Sequence, residues 1–326
     1  MKRRGLLGFV AGAATTWPLV AQSQPGPKKL QVAFLYTGPK AAATPRIRAV
    51  TTGLQSSGLR LQDQVSIVPG LTDGNIELLP STVAELVARP VDIILAIGPA
   101  AVRAARAGTS TVPIVALDLE SDPVASGFIT SLARPGGNVT GLFLDFPEFS
   151  QKWVELLKET VPSISNVAVF WDPASGPFQL QAAEAAAKSF NLSAIVQKVS
   201  TRADIERAFQ AATAQRTDAV LILPSPFVGG NTKMLSELTA AHRLPAVTLF
   251  TDFAREGGLL AYGPNLLTAY RQQGVMVAKL LRGASAAETP VERPTKFELV
   301  LNLKAADSLG ITVPSLILLR ADEVID

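Results

Sequence analysis

Residues 91–101 read VDIILAIGPAA, and this short stretch is typical of the whole chain. The apolar run that ends at Ile97 suits a strand covered by helices on both faces, as the strands of a parallel sheet are. The segment from Gly98 to Ala101 predicts a loop that leads into the start of a helix. The stretch therefore predicts the strand, loop and helix of an α/β protein.

The same pattern recurs from Leu30 onward, where short β-branched runs alternate with longer stretches of helical period. Predicted strands in the first half are Leu30–Tyr36, Val65–Val68, Val91–Ile97 and Pro113–Leu117. Those in the second half are Asn166–Trp171, Ser193–Gln197, Asp218–Leu223 and Pro245–Phe250. About 300 residues exceed one core of average size. The fold class is therefore predicted to be α/β, with two doubly wound parallel-sheet lobes.

Three segments predict crossings between the lobes, and hence a three-strand hinge. They are Val139–Leu144 after a turn cluster, Leu259–Tyr262 after two glycines, and Phe297–Leu301 after a proline-rich link. We expect an N-terminal lobe of residues 24–140 plus 263–290 and a C-terminal lobe of residues 141–262 plus 291–326. Ligands of open α/β sheets bind beyond the carboxyl ends of the strands, so the cleft between the lobes is the predicted site.

The first 23 residues predict an export signal. Lys2, Arg3 and Arg4 precede an apolar run to Val20, and Ala21-Gln22-Ser23 offers small residues for cleavage. Glycines and a proline interrupt the run, which is shorter than the roughly 20 apolar residues of a membrane-spanning helix. The sequence therefore predicts a cleaved, periplasmic protein, and leaves open whether the general secretory or the twin-arginine route exports it.

Composition excludes several classes of function. Without residues 1–23 the chain carries 27 Lys plus Arg and 27 Asp plus Glu, so the pI near 9.2 is no sign of nucleic-acid binding. Cysteine is absent, which excludes disulfides, thiolate sites and a lipidated cysteine anchor. The single histidine, His242, has no nucleophile motif beside it, and no glycine-rich nucleotide loop occurs. We expect no cofactor, no metal and no catalysis.

Several motifs resemble those of a known family. They are Ser121–Gly127, Leu132–Gly141 with its Arg-Pro-Gly-Gly-Asn-Val-Thr-Gly core, Trp153–Glu159, Val167–Val169, Ala261–Asn265 and Arg320–Ile325. In these residues the chain resembles the ABC transporter substrate-binding proteins of the TrpX-like group, which have the periplasmic binding protein type I fold. The resemblance implies a receptor that closes on a small solute and delivers it to a membrane permease and its ATPase. Known members include binders of aromatic amino acids, but the acidic stretch Asp118–Asp122 departs from many relatives.

Candidate ligand-binding residues lie at the predicted strand ends. In the N-terminal lobe they are Tyr36, Thr37, Gly98, Pro99, Ala100 and Asp118. In the C-terminal lobe and the hinge they are Asp145, Trp171, Asp172, Ser225, Phe227, Asp252 and Tyr262. Backbone amides near Gly98 suit a carboxylate, while Asp172 or Asp252 suits an ammonium group and Trp171 or Phe227 an apolar part. The aspartates are equally typical of helix caps, and Trp171 of a lobe core.

Two alternative functions stay open at this point. A ligand sensor would use the same fold to signal to a separate partner protein. A small hydrolase would use two of the carboxylates as acid and base. We expect a monomer that binds a small molecule and no nucleic acid.

Overall fold

A computed structural model describes residues 29–61, 63–144 and 146–326. The predicted export signal at residues 1–23 and the candidate ligand residue Asp145 lie outside the described residues. Every helix in the described part of the chain falls short of the length and apolar character needed to cross a membrane.

The first sheet forms the centre of the N-terminal lobe. Within the described residues its strands are β1 (Leu30–Tyr36), β2 (Val65–Leu71), β3 (Ile93–Ile97), β4 (Ile114–Asp118) and β5 (Val139–Phe143). They are parallel throughout, in the order β2-β1-β3-β4-β5. Every residue of β3, β4 and β5 is buried, as expected of continuous apolar runs between two layers of helices.

Helices cover both faces of this sheet. They are α1 (Lys40–Ser56), α2 (Leu79–Val87) and α3 (Pro99–Gly108), joined by α9 (Leu266–Leu281) from much later in the chain. Helix α9 packs closely on α1, since a Cβ atom on Gly53 would lie 2.1 Å from the carbonyl oxygen of Arg271. The buried Gln273 amide of α9 also donates to the Val115 carbonyl of β4, 3.1 Å away. These contacts place α9 in the N-terminal lobe.

The second sheet forms the centre of the C-terminal lobe. Its strands are β6 (Asn166–Trp171), β7 (Ser193–Lys198), β8 (Ala219–Ile222), β9 (Ala246–Thr248), β10 (Leu260–Pro264), β11 (Phe297–Asn302) and β12 (Glu323–Ile325). Among the described residues the order is β12-β11-β10-β9-β8-β6-β7, and only β10 and β11 run antiparallel to each other. Its helices are α4 (Phe146–Thr160), α5 (Phe178–Ser189), α6 (Arg202–Ala214), α7 (Thr232–His242), α8 (Thr251–Arg255), α10 (Leu303–Leu309) and α11 (Ser315–Arg320). The predicted α/β fold with two doubly wound lobes is confirmed.

The chain crosses between the sheets in three places. β5 pairs with β4 through Phe143, so the boundary predicted at residue 140 falls inside a strand. β10 likewise continues through Pro264, opposite Phe297 of β11, past the boundary predicted at residue 262. Glu292 bonds to the backbone of β5 at the edge of the first sheet before the chain enters β11. We therefore propose lobe boundaries after Phe143, after Pro264 and after Glu292.

Candidate ligand-binding cleft

The carboxyl ends of both sheets face a common cavity of about 270 Å³, which is called the cleft cavity below. The loops after β1, β2 and β3 line it from the N-terminal lobe, and the loops after β6, β7 and β8 line it from the C-terminal lobe. Strand ends meet at this edge because all the strands concerned are parallel to their neighbours. The lining residues include Thr37, Gly98, Pro99, Ala100, Arg103, Asp172, Pro226 and Phe227.

Hydrogen bonds join the two lobes across the cleft. The Tyr36 hydroxyl donates to the carbonyl of Pro226 at 3.3 Å, and Nη2 of Arg46 donates to the carbonyl of Gly229 at 3.0 Å. At the rim, Nη2 of Arg103 donates to the carbonyl of Ala174 at 2.5 Å. The lobes therefore stand in a closed arrangement, held by side chains of one lobe and backbone carbonyls of the other.

Gly98 lies at the start of α3, where the two lobes approach each other closely. Its φ of 81° is a conformation that glycine adopts far more readily than other residues. A Cβ atom at this position would lie 2.6 Å from Cγ of Pro226, inside van der Waals contact. Glycine is therefore needed here both for the backbone turn and for closure of the lobes.

The N-terminus of α3 opens onto the cleft cavity. Gly98 caps the helix and Pro99 and Ala100 form its first turn, and all three line the cavity. The first N–H groups of a helix carry a partial positive charge and attract anions. This end of the cavity favours a carboxylate.

Three carboxyl groups, Asp118, Glu120 and Asp172, are buried on the cleft side of the two sheets. Each is at most 5% exposed. Asp118 accepts the N–H groups of Glu120 and Ser121 at 3.0 Å, while Asp172 accepts the N–H of Ala174 at 3.0 Å. The Glu120 carboxyl lies 3.9 Å from the place where a Cβ atom on Gly98 would stand. These three groups are called the acid cluster below.

Burial raises the pKa of all three carboxyl groups. For Asp118 and Asp172, hydrogen bonds from Ser121, Ala174 or Ser225 partly oppose that rise in the pKa. The pKa of Glu120 rises furthest, because burial is reinforced by the nearby charges of Asp118 and Asp172 and by its hydrogen bond with Asp118. A positive charge in the cleft would relieve this repulsion. The acid cluster therefore favours a cationic group.

Arg46 and two tyrosines close the inner end of the cleft. The Arg46 guanidinium lies 5.4 Å from the ring centre of Tyr36 and 5.9 Å from that of Tyr270. With Glu120 and Ser225 these side chains border a smaller cavity of about 20 Å³, enough for roughly one water molecule. A solute in the cleft cavity therefore meets an inner wall of aromatic and charged side chains.

The structure distributes the predicted site residues unevenly. Six of them line the cleft cavity: Thr37, Gly98, Pro99, Ala100, Asp172 and Phe227. Tyr36 and Ser225 border the smaller inner cavity, and Asp118 is buried in the acid cluster. Contact between a ligand and any of these residues stays a prediction.

Trp171, Asp252 and Tyr262 do not line the cleft cavity. Trp171 packs against the core of the C-terminal lobe and donates its indole N–H to the carbonyl of Gly176 at 3.0 Å. Asp252 lies in the first turn of α8 with its side chain 69% exposed and pairs with Arg255. Tyr262 stacks on Phe149, 5.6 Å away, on the hinge side of the molecule. A strand end fixes where a residue lies but not which way its side chain points, so a position at a strand end does not by itself place a side chain in the cavity.

Sequence reasoning missed three side chains at the cleft, namely Arg46, Arg103 and Glu120. Arg103 lies one turn into α3, on the side that continues the loop after β3. Glu120 follows β4 by two residues, so its place in an unusually acidic turn was a usable signal. Arg46 gave no such signal, because it lies within α1 and reaches the cleft only through the packing of that helix.

Comparison with known proteins identifies the family. A family model described as "ABC transporter substrate binding protein" matches residues 38–325, which is most of the chain. This chain belongs to that family. Its relatives are solute-binding proteins and not enzymes, which agrees with the predicted absence of catalysis.

One curated relative is similar in sequence, and relatives of known structure show the same fold. A curated protein named "Tyrosine-binding protein" from Clostridioides difficile is 22% identical over 275 residues, covering 83% of this chain and 79% of its own length. A Streptococcus pneumonia ABC domain solved with L-Trp has a TM-score of 0.82 at 23% identity, covering 91% of this chain and all of that one. The ligand-free, open structure of a substrate binding protein from Clostridium difficile has a TM-score of 0.63 at 21% identity, covering 91% of this chain and 99% of that one. The family member described here has the type I periplasmic binding protein fold, as the motifs predicted.

Proposed function

We propose that this protein is the solute receptor of an ABC importer, and that it closes its lobes on an α-amino acid with an aromatic or other apolar side chain. The acid cluster is the observation that carries the proposal. Among the described residues, the ion pairs include none formed by Asp118, Glu120 or Asp172. Buried carboxyl groups without a cation are costly, and a ligand ammonium group would supply one.

Two neighbouring groups on the cleft side suit the two charges of an amino acid, since the Glu120 carboxyl lies close to Gly98 at the start of α3. The acid cluster would take the ammonium group, with Glu120 and Asp172 contributing one carboxyl from each lobe. The first turn of α3, near Ala100, would take the carboxylate. A zwitterion is therefore complementary to the cavity, whereas an anion would meet the acid cluster.

The remaining wall of the cavity suits an apolar side chain. Phe227 and Pro226 line it from the C-terminal lobe, and Ile76 lines it from the N-terminal lobe. A cavity of about 270 Å³ is small beside the roughly 300–1,000 Å³ of pockets for drug-sized molecules, which suits a single amino acid. The relatives named for tyrosine and solved with tryptophan support an aromatic side chain.

Closure would couple binding to transport. Glu120 belongs to one lobe and Asp172 to the other, so an ammonium group touches both only when the lobes are closed. A ligand that binds the closed form more tightly shifts the population toward that form. A permease that recognises the closed receptor would then accept loaded molecules in preference to empty ones. The predicted export signal at residues 1–23 supports action on the outer side of the membrane.

Isothermal titration with matched compounds tests the assignment. Tryptophan, tyrosine and phenylalanine are each compared with the amine that lacks the carboxylate and the acid that lacks the ammonium group, which for tryptophan are tryptamine and indole-3-propionate. We expect at least one amino acid to bind and its own two truncated analogues to bind at least tenfold more weakly, because each analogue leaves one charge-binding group of the cleft unpaired. Equal or tighter binding of indole-3-propionate would contradict the role of the acid cluster. Binding of sugars or purines in preference to amino acids would contradict the solute class.

A further inference from the structure

A second cavity lies on the hinge side of the molecule and shares no lining residue with the cleft cavity. It has a volume of about 550 Å³ and is called the hinge cavity below. This volume is about twice that of the cleft cavity and lies within the usual range for small-molecule sites. Tyr262, a residue that the sequence placed in the cleft, lines this cavity instead.

Three aromatic rings form the floor of the hinge cavity. Phe149 stacks on Tyr262 with ring centres 5.6 Å apart and contacts Phe297 at 4.8 Å. Phe149 is buried beneath the other two rings, and those of Tyr262 and Phe297 are partly exposed to the cavity. A concave surface that leaves aromatic rings in contact with water favours a flat ring that can stack on them.

Charged side chains border the floor on one side and balance one another. Glu148, Lys152, Glu155 and Arg293 contribute two negative and two positive groups to the lining. Lys152 pairs with Glu155 at 3.0 Å, and Glu155 is also within 3.8 Å of Arg320. A ligand with a net charge would meet like charges as well as opposite ones. The lining therefore favours a ligand without net charge that has a polar edge.

All three crossings between the lobes contribute to the wall of this cavity. Leu144 follows β5 in the first crossing, Tyr262 lies in β10 before the second, and Arg293 and Pro294 belong to the third. Lobe closure turns on the backbone of such crossings. A molecule held between the three crossings therefore makes different contacts in the open and closed forms, which is the requirement for coupling its binding to closure.

We propose that the hinge cavity is a second binding site, that it takes a neutral, flat aromatic or heteroaromatic molecule, and that occupancy changes the balance between the open and closed lobes. The proposal is independent of the solute in the cleft. Its geometry rests on the aromatic floor and on the three crossings, neither of which takes part in the cleft.

Fluorine NMR with 5-fluoroindole as the probe tests binding. We expect saturable binding to the wild-type protein. Tyr262→Ala removes a ring of the floor and should weaken binding at least tenfold. Gln151→Trp adds bulk at an exposed position on the rim and should do the same without disturbing the core. Phe227→Ala alters only the cleft cavity and should change the dissociation constant less than twofold.

The other outcomes would overturn the site. Absence of saturable 5-fluoroindole binding to the wild-type protein would refute the site. Weaker binding in Phe227→Ala alone would also refute it, because the probe would then bind in the cleft. Equal weakening by all three variants would also refute the proposal, once thermal unfolding has shown that each variant is folded. Gln151→Trp keeps the test decisive if Tyr262→Ala does not fold.

Energy transfer between dyes on the two lobes tests the coupling. The chain has no cysteine, so Glu85→Cys on α2 and Gln210→Cys on α6 give two unique, exposed labelling positions. Saturating 5-fluoroindole should change the transfer efficiency in this background and not after Gln151→Trp is added. Saturable binding with no change in transfer efficiency would show that the hinge cavity does not influence closure.

Discussion

Replacing Glu120 with glutamine separates the stability of the empty protein from its affinity for a cation. Glutamine has nearly the same shape, and its amide can donate to Asp118, as the protonated carboxyl of Glu120 does. It cannot become charged. The substitution therefore removes one negative charge from the acid cluster and leaves the packing in place.

The sign of the stability change follows from the direction of the pKa shift. Burial and the neighbouring carboxyl groups raise the pKa of Glu120 in the folded protein. The stabilisation that comes from its bound proton is complete below the ordinary carboxyl pKa and is lost as the pH rises through the raised value. The empty wild-type protein should therefore lose stability as the pH rises above the ordinary carboxyl pKa, and Glu120→Gln should lose less.

The size of the effect follows from burial of an unpaired group. Glu120 is 4% exposed, and a buried group left without a suitable partner costs about 1–3 kcal/mol. We expect the variant to gain this amount over wild type at pH 8, or about 2–4 °C in the unfolding midpoint for each kcal/mol. For the ligand, loss of a hydrogen bond to a charged group costs about 1.5–3 kcal/mol, or roughly 10- to 150-fold in affinity.

Thermal unfolding of the empty proteins from pH 5 to pH 8 measures the first effect, and titration calorimetry measures the second. Because the ammonium group would draw a proton off Glu120, wild-type binding should release protons and tighten with rising pH. That proton release should shrink in the variant. Parallel stability curves for the two proteins, or tighter binding by Glu120→Gln, would refute the account of the acid cluster.

Three further substitutions, one of them with a matched control, address closure and the placement of an aromatic residue. Gly98→Ala should weaken binding at least tenfold, since its Cβ atom would lie 2.6 Å from a ring carbon of Pro226 in the facing loop. Gly127→Ala, the control, is also at positive φ but has nothing within 4 Å, so it should change only the unfolding midpoint. Equal losses of affinity in calorimetry would contradict this. Arg46→Gln removes the hydrogen bond to Gly229 and should speed ligand dissociation about fivefold or more in stopped-flow fluorescence, with an unchanged rate as the contrary result. Trp171→Phe should leave the affinity within twofold of wild type, because this side chain packs against the lobe core. A tenfold loss of affinity in calorimetry would show instead that Trp171 contacts the ligand.

The positions of most strands along the chain could be predicted from local pattern alone. Continuous apolar runs such as Ile93–Ile97 require cover on both faces, and that requirement holds wherever the strand sits in the sheet. The position of the loop at Gly98 could also be predicted, because a loop that follows a parallel strand lies at the carboxyl edge of the sheet, where ligands bind. Family membership was visible in short motifs such as Leu132–Gly141. The lobe boundaries were harder to predict, because β5 and β10 stay paired in their sheets beyond the residues that the sequence suggested as boundaries.

Side-chain direction and long-range contact depended on the tertiary structure. Trp171 ends β6 as predicted, whereas Tyr262 lies in the middle of β10 and Asp252 in the first turn of α8. A shift of one residue along a strand reverses the face that a side chain presents. Arg46 is separated by 183 residues from the carbonyl to which it donates, and no local pattern reports such a contact. The acid cluster likewise joins Glu120 of one lobe to Asp172 of the other. Local sequence therefore determined the helices and strands and the sheet edge at which a ligand binds. Only the packing of the two lobes decided which charged groups meet at that edge, because electrostatic interaction depends on distance in space and not on distance along the chain.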